Sequence, residues 1–208
     1  MTVFFFVLAG AFAFIDWFAV ERDRRALEYL FKPAVIAALI LAAITLDPAD
    51  DLQRGLFVVA LVLSLAGDVF LMLPSDCFVA GLAAFLLAHT AYIAGFVTEG
   101  PSLGPTAIST VAVATLSVPL GAWILRSVRA SSPRLALPVA AYMFVISTMA
   151  IAALATGDVR AGAGALLFYS SDAQIAVGRF VVAPPWARTA VMVTYHIAQG
   201  ALVASLLS

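Results

Sequence analysis

Eight largely apolar stretches, each close to the length needed to cross a bilayer, follow one another along this 208-residue chain with only short polar breaks between them. A membrane-spanning helix takes about 17–25 such residues. Lipid leaves helices and closed barrels as the only spanning structures that satisfy every backbone polar group. The stretches fall at about 2–20, 31–46, 55–73, 78–97, 105–126, 135–155, 162–178 and 187–207. The fold class expected is therefore all-α: a polytopic membrane protein of eight transmembrane helices in one bundle, with residues 1–208 as a single integral membrane domain. Composition agrees, with 64% hydrophobic and 11% charged residues, where soluble domains hold about 45–50% and 25%.

The connections, such as "ERDRRALEY", "DPADDLQR", "TEGPSLG" and "GRFVVAPPW", leave no room for a soluble domain. The N-terminal "MTVFFFVLAG" lacks a basic n-region, so it reads as a retained first helix and not a signal peptide. Lys and Arg collect in the connections after helices 1, 3, 5 and 7 and their flanks, nine there against two, Arg54 and Arg160, on the other side. The positive-inside bias then sets both termini outward and the odd-numbered connections in the cytoplasm. Ten of the eleven basic residues are arginine and the helices are rich in alanine, which points to a GC-rich bacterial genome and so to a bacterial cytoplasmic membrane. A net charge of −1 argues against a nucleic-acid partner, and the single cysteine, Cys77, excludes an internal disulfide and a thiolate metal site.

Against this apolar background the ionisable residues inside the helices stand out: Asp16, Lys32, Asp68, His89, Asp172 and His196. An aspartate at a helix centre in lipid costs about 2.5–3.5 kcal/mol on insertion scales, and such groups face the bundle interior. With a rise of about 1.5 Å per residue, Asp68 lies about 7–8 Å in from the cytoplasmic helix ends, Asp172 about 10 Å, His196 about 12 Å and His89 about 15 Å. All converge on the cytoplasmic half of the bilayer. Helical spacings of three and four add polar neighbours on the same faces: Ser64 with Asp68, Tyr169 with Asp172, His89 with Tyr92, and Tyr195 and His196 with Gln199. Asp68 and Asp172 stand 104 residues apart, half the chain, and each precedes a histidine on the returning helix. That spacing suggests a parallel 4+4 repeat.

Structural roles stand beside the chemical ones. The acids can form ion pairs with Lys32 or a histidine, and the histidines can join helices by hydrogen bonds. Lys32 can snorkel to the interface from a "KP" helix start, and Asp16 can pair with Arg22 or Arg25.

The segments "FKP" (31–33), "AGDVFLM" (66–72), "GLAAFLLAHTAYIAGF" (81–96), "YSSDAQIA" (169–176) and "TYHIAQ" (194–199) together resemble the YhhN family of eight-helix membrane proteins, which includes the lysoplasmalogenases. The resemblance spans helices 2 to 8 and lies in the combined spacing. It implies hydrolysis of the vinyl ether bond of a lysoplasmalogen, with water, to a fatty aldehyde and a glycerophospho-amine. Its polar signature falls on Lys32, Asp68, His89, Tyr92, Tyr169, Asp172, Tyr195 and His196.

That chemistry suits the residues. A vinyl ether is protonated on carbon, water attacks the resulting oxocarbenium ion, and the hemiacetal collapses. One carboxylic acid and one carboxylate are needed, as in glycoside hydrolysis, and burial together with a second acid separates two carboxyl pKa values. Asp68 and Asp172 are the expected catalytic pair. His89, Tyr92, Tyr169, Tyr195, His196 and Gln199 are expected to orient or tune them, and Lys32 to bind the lipid phosphate as a point charge. No cofactor is expected. Two other readings use the same groups: an intramembrane zinc hydrolase built on two histidines and two aspartates, and a proton-coupled carrier with a parallel repeat.

Overall fold

A computed structural model describes residues 1–98, 100 and 103–207. Among them eight α-helices run in sequence: α1 (Thr2–Glu21), α2 (Arg25–Thr45), α3 (Asp51–Met72), α4 (Phe78–Phe96), α5 (Leu103–Ser131), α6 (Ala136–Ala155), α7 (Val159–Phe180) and α8 (Ala187–Ser205). A single 3-10 turn, Pro133–Leu135, leads into α6. Six helices, α1 to α6, are long and apolar enough to cross a membrane. The polar residues of α7 and α8 dilute their hydropathy, although both have the length of a span.

Several helices outrun their apolar stretches. α2 begins at Arg25, six residues before the expected start, and α5 continues to Ser131 instead of 126. Charged residues end an apolar stretch without ending a helix, because Arg, Glu and Lys are good helix formers once the chain reaches the polar headgroup layer. Pro33 consequently stands inside α2 and not in its first turn. Its ring leaves the carbonyl four residues earlier without its helical donor. The expected connection at 98–104 lies partly outside the described residues.

Helix starts carry their own signals. The Asp50 side chain accepts from the Leu52 N–H at the head of α3, and Asp158 accepts from the N–H groups of Arg160 and Ala161 at the head of α7. Gly157, at φ +77°, ends α6 just before that cap, in a conformation open mainly to glycine.

The helices pack as sequential hairpins, α1 on α2, α3 on α4, α5 on α6 and α7 on α8, with α2 also against α3 and α8, and α6 against α4 and α7. Their outer faces stay apolar, with Phe4, Phe14, Ile108, Leu116, Leu137 and Phe144 exposed. Continuous apolar surface of this kind is uncommon on a soluble monomer and is the surface lipid requires. The chain is an integral membrane protein.

Packing against Gly67 sets the centre of the bundle. A Cβ there would come within 2.6 Å of the Phe85 ring, so the missing side chain lets α4 bring Phe85 onto α3 beside Asp68. Phe85 and Phe168 then meet edge to face, and Phe168 also touches the rings of His89 and Tyr195. This aromatic block divides the polar interior in two.

Candidate active site

On one side of the block, α7 presents Asp172. Its Oδ2 accepts from the Tyr142 hydroxyl of α6 at 2.5 Å and lies 3.1 Å from His89 Nε2 of α4. His89 Nε2 is also 2.9 Å from the Tyr142 oxygen. Two groups from two other helices thus converge on one carboxylate oxygen, and Oδ1 lies outside the triangle they form with it. Asp172 lines a cleft of about 630 Å³, open mouth included, between α3, α4, α5, α6 and α7. Leu71, Phe78, Leu82, Phe85, Ile124 and Ile146 contribute to its apolar walls, and its polar side chains are Tyr142, Tyr169 and Asp172. The Asp172 side chain keeps 9% of its surface exposed and His89 keeps none.

Across the block, Asp68 of α3 is sealed, with 2% of its side chain exposed. Lys32 Nζ of α2 sits 3.1 Å from its Oδ1, and the Tyr195 hydroxyl of α8 donates to Oδ2 at 2.7 Å. Behind Tyr195 the chain of bonds continues: Gln199 Nε2 donates to the Tyr195 oxygen at 3.3 Å, and the Tyr92 hydroxyl donates to Gln199 Oε1 at 2.6 Å. The expected residues Lys32, Asp68, Tyr92, Tyr195 and Gln199 therefore form one buried network.

The remaining expected residues divide between the two sides. Tyr169 lines the Asp172 cleft, with no hydrogen-bond partner for its hydroxyl among the described residues. His196 stands apart, on the α1 side of α8, where Trp17 Nε1–H donates to its Nδ1 at 3.1 Å. An accepting Nδ1 fixes His196 as the neutral tautomer with its proton on Nε2.

Two placements differ from expectation. Lys32 does not stand at an open mouth: it is 5% exposed, and its ammonium is held by Asp68. Starting α2 at Arg25 carries Lys32 two turns into the helix, where an unpaired charge is costly and an acid partner compensates it. Asp16 does not pair with Arg22 or Arg25. Arg22 lies over the Phe18 ring and Arg25 pairs with Asp23, while both Asp16 carboxyl oxygens are buried without a hydrogen-bond partner among the described residues.

The sequence reading missed Tyr142. A single tyrosine in the apolar run "AAYMF" has no polar neighbour at helical spacing to mark it. Trp17 was missed because its partner, His196, lies 179 residues away on another helix. Among the described residues, no three His, Cys, Asp or Glu side chains gather closely enough to hold a metal ion.

The cleft sets apolar walls beside a carboxyl group held by Tyr142 and His89, an arrangement suited to an apolar molecule. Comparison with known proteins bears on which molecule that is. The chain is 32% identical over 202 residues to the rat protein named lysoplasmalogenase TMEM86B, covering 97% of this chain and 82% of the relative. It is 35% identical over 164 residues to the lysoplasmalogenase of Mycobacterium bovis, covering 75% and 61%. It is 36% identical over 140 residues to human lysoplasmalogenase TMEM86B, covering 67% and 58%. No solved structure gives a significant match. The sequence profile described as the YhhN family matches residues 27–206, and this chain belongs to that family.

Proposed function

We propose that this chain hydrolyses the vinyl ether bond of lysoplasmalogens, with Asp172 acting on the substrate. The observation that carries the proposal is the Asp172 carboxyl in an apolar cleft, with Oδ2 held by Tyr142 and His89. The lysoplasmalogenase relatives support the same reading.

The alkenyl chain lies along the apolar wall with its first two carbons at Asp172. In its acid form Asp172 gives its proton to the alkene carbon next to the ether-bearing one. The new carboxylate faces the oxocarbenium ion it has made, and a preorganised charge in a dry site stabilises such an ion strongly. Water adds to the cation and Asp172 takes back a proton. The hemiacetal then collapses, its hydroxyl proton passing to the departing glycerol oxygen, to give aldehyde and alcohol. Acid–base catalysis of this kind is worth about 10²–10⁴-fold. Tyr142 and His89 fix Oδ2 and so aim the other oxygen, and Tyr169 in the same cleft donates to the glycerol oxygen or the water. Asp68, neutralised by Lys32 and held by Tyr195, is a positioning residue behind the aromatic block. Tyr92 and Gln199 fix it in turn.

The two aspartates are held in a crossed manner, which supports a 4+4 repeat. Asp68 is held by a residue of the preceding helix, Lys32, and by Tyr195 of the last helix of the second half. Asp172 is held by a residue of its preceding helix, Tyr142, and by His89 of the last helix of the first half. The arginine distribution supports both termini facing outward across a bacterial cytoplasmic membrane, with the site in its cytoplasmic half and membrane lipids as its surroundings.

Incubating the purified protein with a lysoplasmalogen, its saturated ether analogue and its ester analogue tests the reaction class. Aldehyde is expected from the vinyl ether alone. Cleavage of the ester or of the saturated ether at a similar rate would refute the proposal.

A further inference from the structure

The cleft that holds Asp172 has a cation at its rim. Arg179 follows Asp172 by seven residues on α7, two helical turns, so both lie on nearly the same face with about 10 Å between their backbones. Helical side chains tilt toward the N-terminus, which turns Arg179 back toward the cleft. Its guanidinium lies 4.0 Å from the centroid of Phe78 and 6.0 Å from that of Phe180, and both rings line the cleft. Its two terminal nitrogens form a fork on Asp76, Nη1 to Oδ1 at 3.1 Å and Nη2 to Oδ2 at 2.9 Å. Asp76 belongs to the short α3–α4 connection, so the pair bridges two elements at the cleft mouth.

We propose that Arg179 is the anchor for the substrate's headgroup phosphate, and that Asp76 occupies that place until the lipid arrives. This rests on the vinyl ether reading of the cleft. In a lysoplasmalogen the phosphorus follows the ether-bearing alkene carbon by about six bonds, about 7 Å when extended. That length fits between Asp172 and a guanidinium turned back along α7. The guanidinium fork matches phosphate as it matches carboxylate. Asp76 is released readily, because its side chain is 68% exposed and an exposed pair of this kind is weakly held. Arg179 keeps the Asp76 carboxyl below the usual carboxylate range through hydrogen bonding and charge. Lys32, engaged by Asp68, is not available for this role.

The test compares two substrates, a lysoplasmenylethanolamine and the 1-alkenylglycerol that lacks phosphate, in the wild type, Arg179→Gln, Arg179→Lys and Asp76→Asn. Arg179→Gln is expected to raise KM for the phospholipid about tenfold or more, the scale of lost charge-assisted hydrogen bonds. Its kcat, and both constants for 1-alkenylglycerol, stay near wild type. Arg179→Lys is expected to recover part of the loss, and Asp76→Asn to lower KM for the phospholipid. An unchanged phospholipid KM in Arg179→Gln would overturn the assignment, as would an equal rise for both substrates. Inorganic phosphate competing as strongly as the lysolipid would also overturn it, by reducing the site to a general anion site. Should the wild type release no aldehyde from either substrate, the vinyl ether reading fails, and affinity for a saturated lysophospholipid still reads the anchor. Weaker binding by Arg179→Gln supports it, and equal binding overturns it.

Discussion

Lys32 and Asp68 form an ion pair, Nζ to Oδ1 3.1 Å, in which both side chains are almost wholly withdrawn from the surface. Removing one member of a buried pair leaves the other charge uncompensated, at about 3–5 kcal/mol, whereas replacing both by uncharged groups is often neutral. Lys32→Met and Asp68→Asn are each expected to lower stability by that amount. The double variant is expected to lose clearly less than the sum. Thermal unfolding in detergent, arranged as a double-mutant cycle, measures it. Additive losses would show that the pair is not coupled.

Tyr142 offers a cleaner test of the catalytic side, because its hydroxyl meets Asp172 while its ring fills the cleft wall. Tyr142→Phe keeps the ring and removes the donor. A hydrogen bond to a charged group is worth about 1.5–3 kcal/mol. The expected result is a fall in kcat of about tenfold to a hundredfold, with the unfolding midpoint nearly unchanged. A wild-type kcat in this variant would remove Tyr142 from the site.

Gly67 is predicted to be intolerant for a steric reason. Adding a Cβ within 2.6 Å of the Phe85 ring forces that ring out of the central aromatic block. Overpacking of this kind costs about 1–3 kcal/mol. Gly67→Ala is expected to be destabilised by that amount and to lose activity, since Phe85 also lines the cleft. Shortening the neighbour, in Gly67→Ala/Phe85→Leu, is expected to restore part of the stability. Denaturation midpoints of the wild type and the two variants decide it.

Protonation on carbon leaves an isotopic record. Turnover in heavy water is expected to give an aldehyde carrying one solvent deuterium on the carbon next to the carbonyl. The aldehyde is trapped as it forms, to prevent later exchange, and read by mass spectrometry. Aldehyde without that label would mean that the bond is broken by another route.

The long apolar stretches made the number and order of the helices readable, because a bilayer imposes length and composition on each span. Helix ends were less readable. The charged residues at 25–30 resemble a loop, yet they begin α2, and this hid that Lys32 lies deep enough to need Asp68. The buried acids and histidines were conspicuous because lipid tolerates few of them. Their partners were not, because sequence spacing encodes neighbours along one helix and not contacts between helices. His89 meets Tyr142 and Asp172, 53 and 83 residues away, and Tyr195 meets Asp68 across 127. Tyr142 carried no local mark of its role, since an isolated tyrosine in an apolar helix is indistinguishable from a packing residue.

Aldehyde release by Asp172→Asn bears most directly on the central claim. The substitution keeps the shape of the side chain and removes its acid, so the protein is expected to fold and to bind the lysoplasmalogen. The account predicts that turnover falls by about 10²–10⁴-fold, the range for loss of a general acid–base group. Turnover within a few-fold of wild type, in a variant shown to be folded, would contradict it.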